Sequence, residues 1–212
     1  MPQTEMTCHS PATEQAPDGA TRIALIGSPN GGKTSIFNQL TGLHAKTGNY
    51  PGVTVSRSEG VARIHDHTFA IEDLPGTYSL SPISPDEQVV VDVLDGRMDQ
   101  VSAPDALVVV ADATALRRSL LLLAEVLPRH LPTAVVVTMT DELRRRQGSL
   151  DVTALSQALG VPVVAVVANR GIGIGELRNL LTTWHDWDRP PLDPPSRSSE
   201  LAGWVDSVLD TA

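Results

Sequence analysis

The segment Gly27-Ser28-Pro29-Asn30-Gly31-Gly32-Lys33-Thr34 fits the pattern G-x-x-x-x-G-K-[ST], and no other stretch limits the fold so strongly. It follows a short apolar run, Ile23-Ala24-Leu25-Ile26, of strand length. It precedes Ser35-Ile36-Phe37-Asn38-Gln39-Leu40, which reads as the first turns of a helix. Strand, glycine-rich loop and helix in that order build an anion cradle. Backbone N–H groups from Asn30, Gly31, Gly32 and Ser35 point inward, and the helix start adds a partial positive charge. Lys33 can reach the β- and γ-phosphates of a nucleoside triphosphate, and the Thr34 hydroxyl can take a place on Mg²⁺.

With 212 residues the chain is long enough for one α/β domain plus tails, and can bury a core without covalent staples. Its single cysteine, Cys8, excludes a disulfide framework and points to a reducing compartment. A formal net charge of −9 and an aromatic content of 3% argue against a nucleic-acid surface, whether electrostatic or stacking. The one basic run, Arg144-Arg145-Arg146, is expected on a solvated helix end or loop. No apolar run reaches the roughly 18 residues of a membrane span, and the N-terminus lacks the pattern of a secretion signal. The chain as given is expected in the cytoplasm.

Residues 1–20 are rich in Pro, Thr, Gln and Ser and read as a disordered tail. Residues 21–187 are expected to form one nucleotide-binding domain. Strands alternate with helices there, which implies a mostly parallel sheet with helices on both faces. Six strands are expected, one of them an antiparallel edge strand. Val53–Ile64 and Thr68–Asp73 read as two strands joined across His65-Asp66-His67. Further strands are expected at Ala106–Ala111, Thr133–Thr138 and Val163–Val166, and helices at Leu116–Leu127, Val152–Leu159 and Glu176–Trp184. Ser84-Pro85-Asp86-Glu87 carries a helix start with a capping box, and Asp151 and Gly160 bracket a helix as cap and stop. Residues 188–198 read as a stiff proline-rich linker. Residues 199–212 are a short helix or the start of a further domain.

Two other stretches bear on the phosphate loop. Asp73-Leu74-Pro75-Gly76 ends a strand, where a carboxylate can hold Mg²⁺ through water and the Gly76 N–H can meet a γ-phosphate oxygen. Thr54, in Asn49-Tyr50-Pro51-Gly52-Val53-Thr54-Val55, can offer a second hydroxyl to Mg²⁺ once a γ-phosphate orders it. Read alone, it is an ordinary β-branched strand residue. His65-Asp66-His67 would set two imidazoles on one strand face, but such residues are also ordinary in a hairpin turn. Trp184, Trp187 and Trp204 read as packing residues.

Together these residues resemble the G domain of the bacterial ferrous iron transport protein B. The stretches Gly27–Asn38, Asn49–Val55 and Asp73-Leu74-Pro75-Gly76-Thr77-Tyr78-Ser79-Leu80-Ser81-Pro82 carry the match, which continues through Val108–Asp112 and spans about Thr21–Leu181. The resemblance implies a P-loop G-domain fold and Mg²⁺-dependent GTP binding and hydrolysis, coupled to Fe²⁺ uptake. The partner it implies is a membrane iron-permease domain or subunit on the cytoplasmic face of the cell membrane, with a nucleotide-dependent oligomer as a further possibility. In the family a helical and a membrane domain follow the G domain.

Base recognition departs from the family pattern. Thr138-Met139-Thr140-Asp141 stands where an Asn-x-x-Asp is expected. Asp141 can accept from guanine N1–H and the exocyclic amine, and each buried pairing left unmade costs about 1–3 kcal/mol. Thr138 replaces an amide that touches the base and braces the loop, so weakened guanine affinity is expected. Val167-Ala168-Asn169-Arg170-Gly171 matches the last family motif, with the Ala168 N–H toward guanine O6. Thr77 stands where other GTPases carry a water-orienting glutamine, and is too short for that task, so hydrolysis should be slow. Asn30 aligns with an asparagine that helps hold a K⁺ ion in similar GTPases. Gly31 replaces the commoner Ala or Ser. Two other functions fit the same residues: a stand-alone GTPase of RNA or ribosome maturation, and a nucleotide-sensing module that hardly hydrolyses.

Overall fold

Strand β1 (Thr21–Gly27) is buried on both faces from Ile23 onward, as expected of a strand with neighbours on either side and helices above and below. The computed structural model describes residues 16–17, 19–42, 45–187, 194–195 and 197–212. Cys8, most of the expected N-terminal tail and much of the proline-rich linker lie outside these residues. The other strands are β2 (Ala45–Asn49), β3 (Ser56–Ile64), β4 (His67–Asp73), β5 (Ala106–Asp112), β6 (Thr133–Thr138) and β7 (Val163–Ala165). They form one sheet in the order β2-β3-β4-β1-β5-β6-β7.

The α/β class and the mostly parallel sheet are as expected, but among the described residues the sheet has seven strands rather than six. The extra strand is β2, whose sequence Ala-Lys-Thr-Gly-Asn has no apolar alternation and is largely exposed. It is held by antiparallel backbone pairing to β3 alone, Lys46 opposite Glu59 and Asn49 opposite Ser56. The reversed strand, β3, is therefore one place in from the edge. It also begins at Ser56, later than expected, so Val53 and Thr54 lie in a loop.

Among the described residues, seven α-helices surround the sheet: α1 (Lys33–Thr41), α2 (Pro85–Leu94), α3 (Leu116–Val126), α4 (Thr140–Arg145), α5 (Val152–Leu159), α6 (Ile174–Thr182) and α7 (Ser198–Thr211). The two-residue period of the strands divides the core. Ile23, Leu25, Val108 and Val110 pack with Ile36, Phe37 and Leu40 of α1 and Leu177 and Leu181 of α6. Ala24, Ile26, Leu107 and Val109 face the other way, onto Val90 and Val93 of α2, Leu120 and Leu123 of α3 and Leu155 and Leu159 of α5. Helix α7 docks on this second layer through Val205 and Val208, and Arg117 of α3 pairs with Asp206.

Local signals explain the helix ends. The Ser84 hydroxyl accepts from Glu87 N–H at 3.3 Å, but the Glu87 carboxylate takes the N–H of Ile83 at 2.9 Å rather than that of Ser84. The expected capping box is thus displaced by one residue on its return arm. Asp151 accepts from the N–H groups of Thr153 and Ala154, and Gly160 closes α5 in a left-handed turn. Trp187 is buried and its indole N–H donates to Leu180 O at 3.2 Å. Arg145 and Arg146 end α4 in exposed ion pairs with Asp141 and Glu142.

Candidate functional site

Sheet order places the site. The neighbours of β1 are β4 and β5, so the chain turns away in opposite directions at its carboxyl end and leaves a crevice there. Parallel pairing sets Leu25 beside Asp73 and Gly27 beside Val110. The glycine-rich loop thus leaves β1 next to the carboxylate that ends β4. Gly32 has φ 91°, a backbone conformation that suits glycine, and hands the chain to α1.

Three side chains meet at this point. Lys33 Nζ lies 3.1 Å from Asp73 Oδ1, and each of these two side chains is only 9% exposed. The Thr34 hydroxyl donates to Asp73 Oδ2 at 2.7 Å. Gly76 follows so closely that a Cβ there would stand 2.9 Å from the backbone of Pro29, in the glycine-rich loop. Lys33, Thr34, Thr54, Asp73 and Gly76 line one depression of about 410 Å³, with Asp86 from the first turn of α2. Hydroxyl and carboxylate oxygens of this kind suit a hard, oxygen-seeking cation such as Mg²⁺.

A second depression, of about 270 Å³, is lined by Gly32, Ser35, Thr138, Asp141, Val167 and Ala168 among others. The start of α1 therefore divides two spaces, one walled by Lys33 and Thr34 and the other by Gly32 and Ser35. Asp141 Oδ2 accepts from Arg145 at 3.2 Å. The Ala168 carbonyl accepts from Gln39 of α1 at 3.0 Å.

The buried Thr138 hydroxyl donates to Gly31 O at 2.7 Å and lies 3.2 Å from Ala111 O. With one proton for two acceptors, the shorter contact dominates. The brace between β6 and the phosphate loop thus survives without an asparagine. Asn30 lies outside both linings, exposed on the loop at φ 62°. Thr77 is fully buried. Its N–H donates to Gly27 O at 3.1 Å and its hydroxyl donates to Ser79 O at 2.5 Å, so it ties down the segment after Gly76, and it lines neither depression.

Sequence reasoning missed several partners. Glu125 of α3 accepts from the Ser79 hydroxyl at 2.9 Å and from Leu80 N–H at 2.5 Å, and Arg118 lies 5.1 Å over the Tyr78 ring. Glu72 accepts from the Tyr50 hydroxyl and from Arg57 Nε, both at 2.9 Å. Burial first, and then the Glu72 charge, push the Tyr50 phenol well above its ordinary pKa, which keeps it a donor. The acid-base alternation Arg57, Glu59, Glu72 along two expected strands was the available signal. His65 of the tempting triplet faces Asn179 at 3.3 Å. Among the described residues, no group of three or more His, Cys, Asp or Glu side chains is gathered as for a metal ion.

The family described as ferrous iron transport protein B matches residues 21–181. The chain belongs to this family. Relatives include the Fe(2+) transporter FeoB of Leptospira biflexa, 43% identical over 160 residues, and that of Salmonella typhimurium, 45% identical over 161. These matches cover 76% and 74% of this chain but 23% and 20% of the relatives, so the chain spans about a fifth of their length. The G domain of the T. maritima FeoB iron transporter superposes with a TM-score of 0.71 at 38% identity, covering 79% of this chain and 99% of that one. The cytosolic domain of the same transporter in a GMPPNP form gives 0.75 at 35% identity, covering 82% of this chain and 68% of that one.

Replacing Thr138 by Val keeps the shape and removes the donor, leaving the carbonyls of Gly31 and Ala111 without it. We expect Thr138→Val to lower unfolding free energy by about 1–3 kcal/mol, read from the midpoint of urea denaturation at unchanged slope.

Proposed function

We propose that this FeoB-family domain binds GTP and GDP across the two depressions, hydrolyses GTP slowly, and acts as the cytoplasmic switch of a ferrous-iron transporter. The observation that carries the reading is the convergence of Lys33, Thr34 and Asp73 beside a loop whose helix start separates that cluster from a pocket walled by Asp141 and Ala168. The cytosolic domain of the T. maritima FeoB transporter, of similar fold, is known in a GDP form and a GMPPNP form. In this reading residues 21–187 are the nucleotide-binding unit, with α7 docked on its back.

Each residue has a task. The amides of Asn30 to Ser35 cradle the phosphates, and Lys33 leaves Asp73 to meet the β- and γ-oxygens. The Gly76 N–H meets the γ-phosphate. Thr34, Thr54 and Asp73 would hold Mg²⁺, which supplies positive charge to the triphosphate when bound. Asp141 accepts from guanine N1–H and its amine, and Ala168 N–H donates to O6. The Arg145 pair on Asp141 is exposed and weak, so it yields to a base. Asn30 carries the carboxamide oxygen that a K⁺ ion would need. With its hydroxyl held by Ser79, Thr77 is not free to orient a water, and turnover is slow. A membrane-embedded iron permease is the partner, which puts the domain at the inner face of the cell membrane. Among the described residues no helix is long and apolar enough to cross a membrane.

Titration of the purified chain with GDP or GMPPNP plus Mg²⁺ tests the core of this reading. Saturable binding is expected, weakened about ten- to a hundredfold by Lys33→Ala through loss of a charged contact. Absence of binding at millimolar nucleotide would overturn it. Thr138→Asn restores a base contact while keeping a brace, so the GDP dissociation constant should fall by about fivefold or more; an unchanged constant removes the explanation given for Thr138. Single-turnover GTP cleavage should run faster in K⁺ than in Na⁺, and Asn30→Ala should erase that difference. Equal rates in the two salts would rule out the K⁺ role.

A further inference from the structure

The loop that carries Thr54 is anchored at both ends. Tyr50 N–H donates to Val55 O at 2.9 Å and Val53 N–H to Tyr50 O at 3.3 Å, with Gly52 turning at φ 77° between them. Tyr50 is 1% exposed and Val55 is 7% exposed, whereas Thr54 itself is exposed. The loop is thus a closed bow whose feet are buried, with Thr54 lining the depression of Lys33, Thr34 and Asp73.

What fixes the first foot is a polar contact. The Tyr50 hydroxyl donates to Glu72 Oε1, and Glu72 is the residue before Asp73 on β4. Glu72 is oriented by Arg57 Nε at 2.9 Å and Arg22 at 3.5 Å, and Glu59 bridges both guanidinium groups. Two arginines and two glutamates balance, so the cluster is electrically closed, and the guanidinium of Arg57 lies 5.8 Å from the Tyr50 ring. Alternation along β4 sends Glu72 and Asp73 to opposite faces of the sheet. One strand therefore holds the cation-side carboxylate on one face and the loop's anchor on the other.

We propose that Tyr50 is a positioning residue of the nucleotide site: through its buried bond to Glu72 it sets where Thr54 stands relative to Asp73. The proposal rests on the reading above in which Thr54 meets Mg²⁺ and the γ-phosphate. A loop held this way contributes to binding of a triphosphate and little to a diphosphate, which lacks the group that Thr54 would reach. Specificity between the two nucleotides is then set partly by a tyrosine that touches neither.

The test measures GMPPNP and GDP affinities, each with Mg²⁺, for the unmodified chain, Tyr50→Phe, Thr54→Ala and the double variant. Tyr50→Phe removes only the hydroxyl and leaves Glu72 its two arginines, so the fold persists. The expected result is a drop of about three- to tenfold in the GMPPNP-to-GDP affinity ratio for Tyr50→Phe. The same change made in the Thr54→Ala background should have no further effect, because the tyrosine acts through the threonine. If Thr54→Ala lowers the ratio while Tyr50→Phe lowers both affinities equally or neither, the positioning role is wrong and the Thr54 assignment stands. If Thr54→Ala leaves the ratio unchanged, the Thr54 assignment itself fails, and the inference with it.

Discussion

The register of β1 against β4 is the constraint on which the site depends. Because Leu25 lies beside Asp73, the chain leaves β1 within side-chain reach of a carboxylate that is distant in sequence but held there by backbone pairing. The lysine and threonine that open α1 then have one place to point. A slip of one residue in that pairing would turn Asp73 to the opposite face and replace it with Glu72, whose partners are on the other side of the sheet. The buried apolar sets on both faces of β1 and β5 make such a slip costly, so core packing protects a polar geometry to which it contributes no atom.

Buried polar contacts gather around the loops that leave this crevice. Thr138 grips the glycine-rich loop through Gly31, Glu125 grips the segment after Gly76, and Glu72 grips the segment before Thr54. Each anchor sits on a regular element and reaches an irregular one. Loops have few apolar contacts of their own, so a single charged or hydroxyl anchor decides their placement. Thr138 illustrates the reach this takes: a hydroxyl on a strand end is long enough to meet a carbonyl of the neighbouring loop.

Legibility in the sequence followed the physics of each part. Strands β1, β5 and β6 are nearly continuous apolar runs, and α5 has an aspartate cap and a glycine stop, so one-dimensional pattern was enough for them. The loop, Asp73 and the two depressions were legible because glycine, lysine and aspartate there serve a local chemistry with fixed spacing. Strand β2 was invisible, since apart from Ala45 it is exposed and joined to the sheet by backbone pairs that leave no mark on side-chain choice. Glu125, 46 positions from Ser79, and the Tyr50–Glu72 bond, 22 positions apart, were invisible for a different reason: a solvated glutamate and an anchoring one look alike until the fold brings their partners near.

Strand β2 has a further consequence. It is the outermost member of the sheet, so among the described residues its far backbone edge is open to pairing with another polypeptide. Five short residues, one of them Lys46 and one Gly48, make a poor template for such recruitment, because a desolvated ammonium and a side-chain-free position both weaken an added strand. The polarity that hid this strand from pattern reading thus also disfavours the addition of a further strand at that edge.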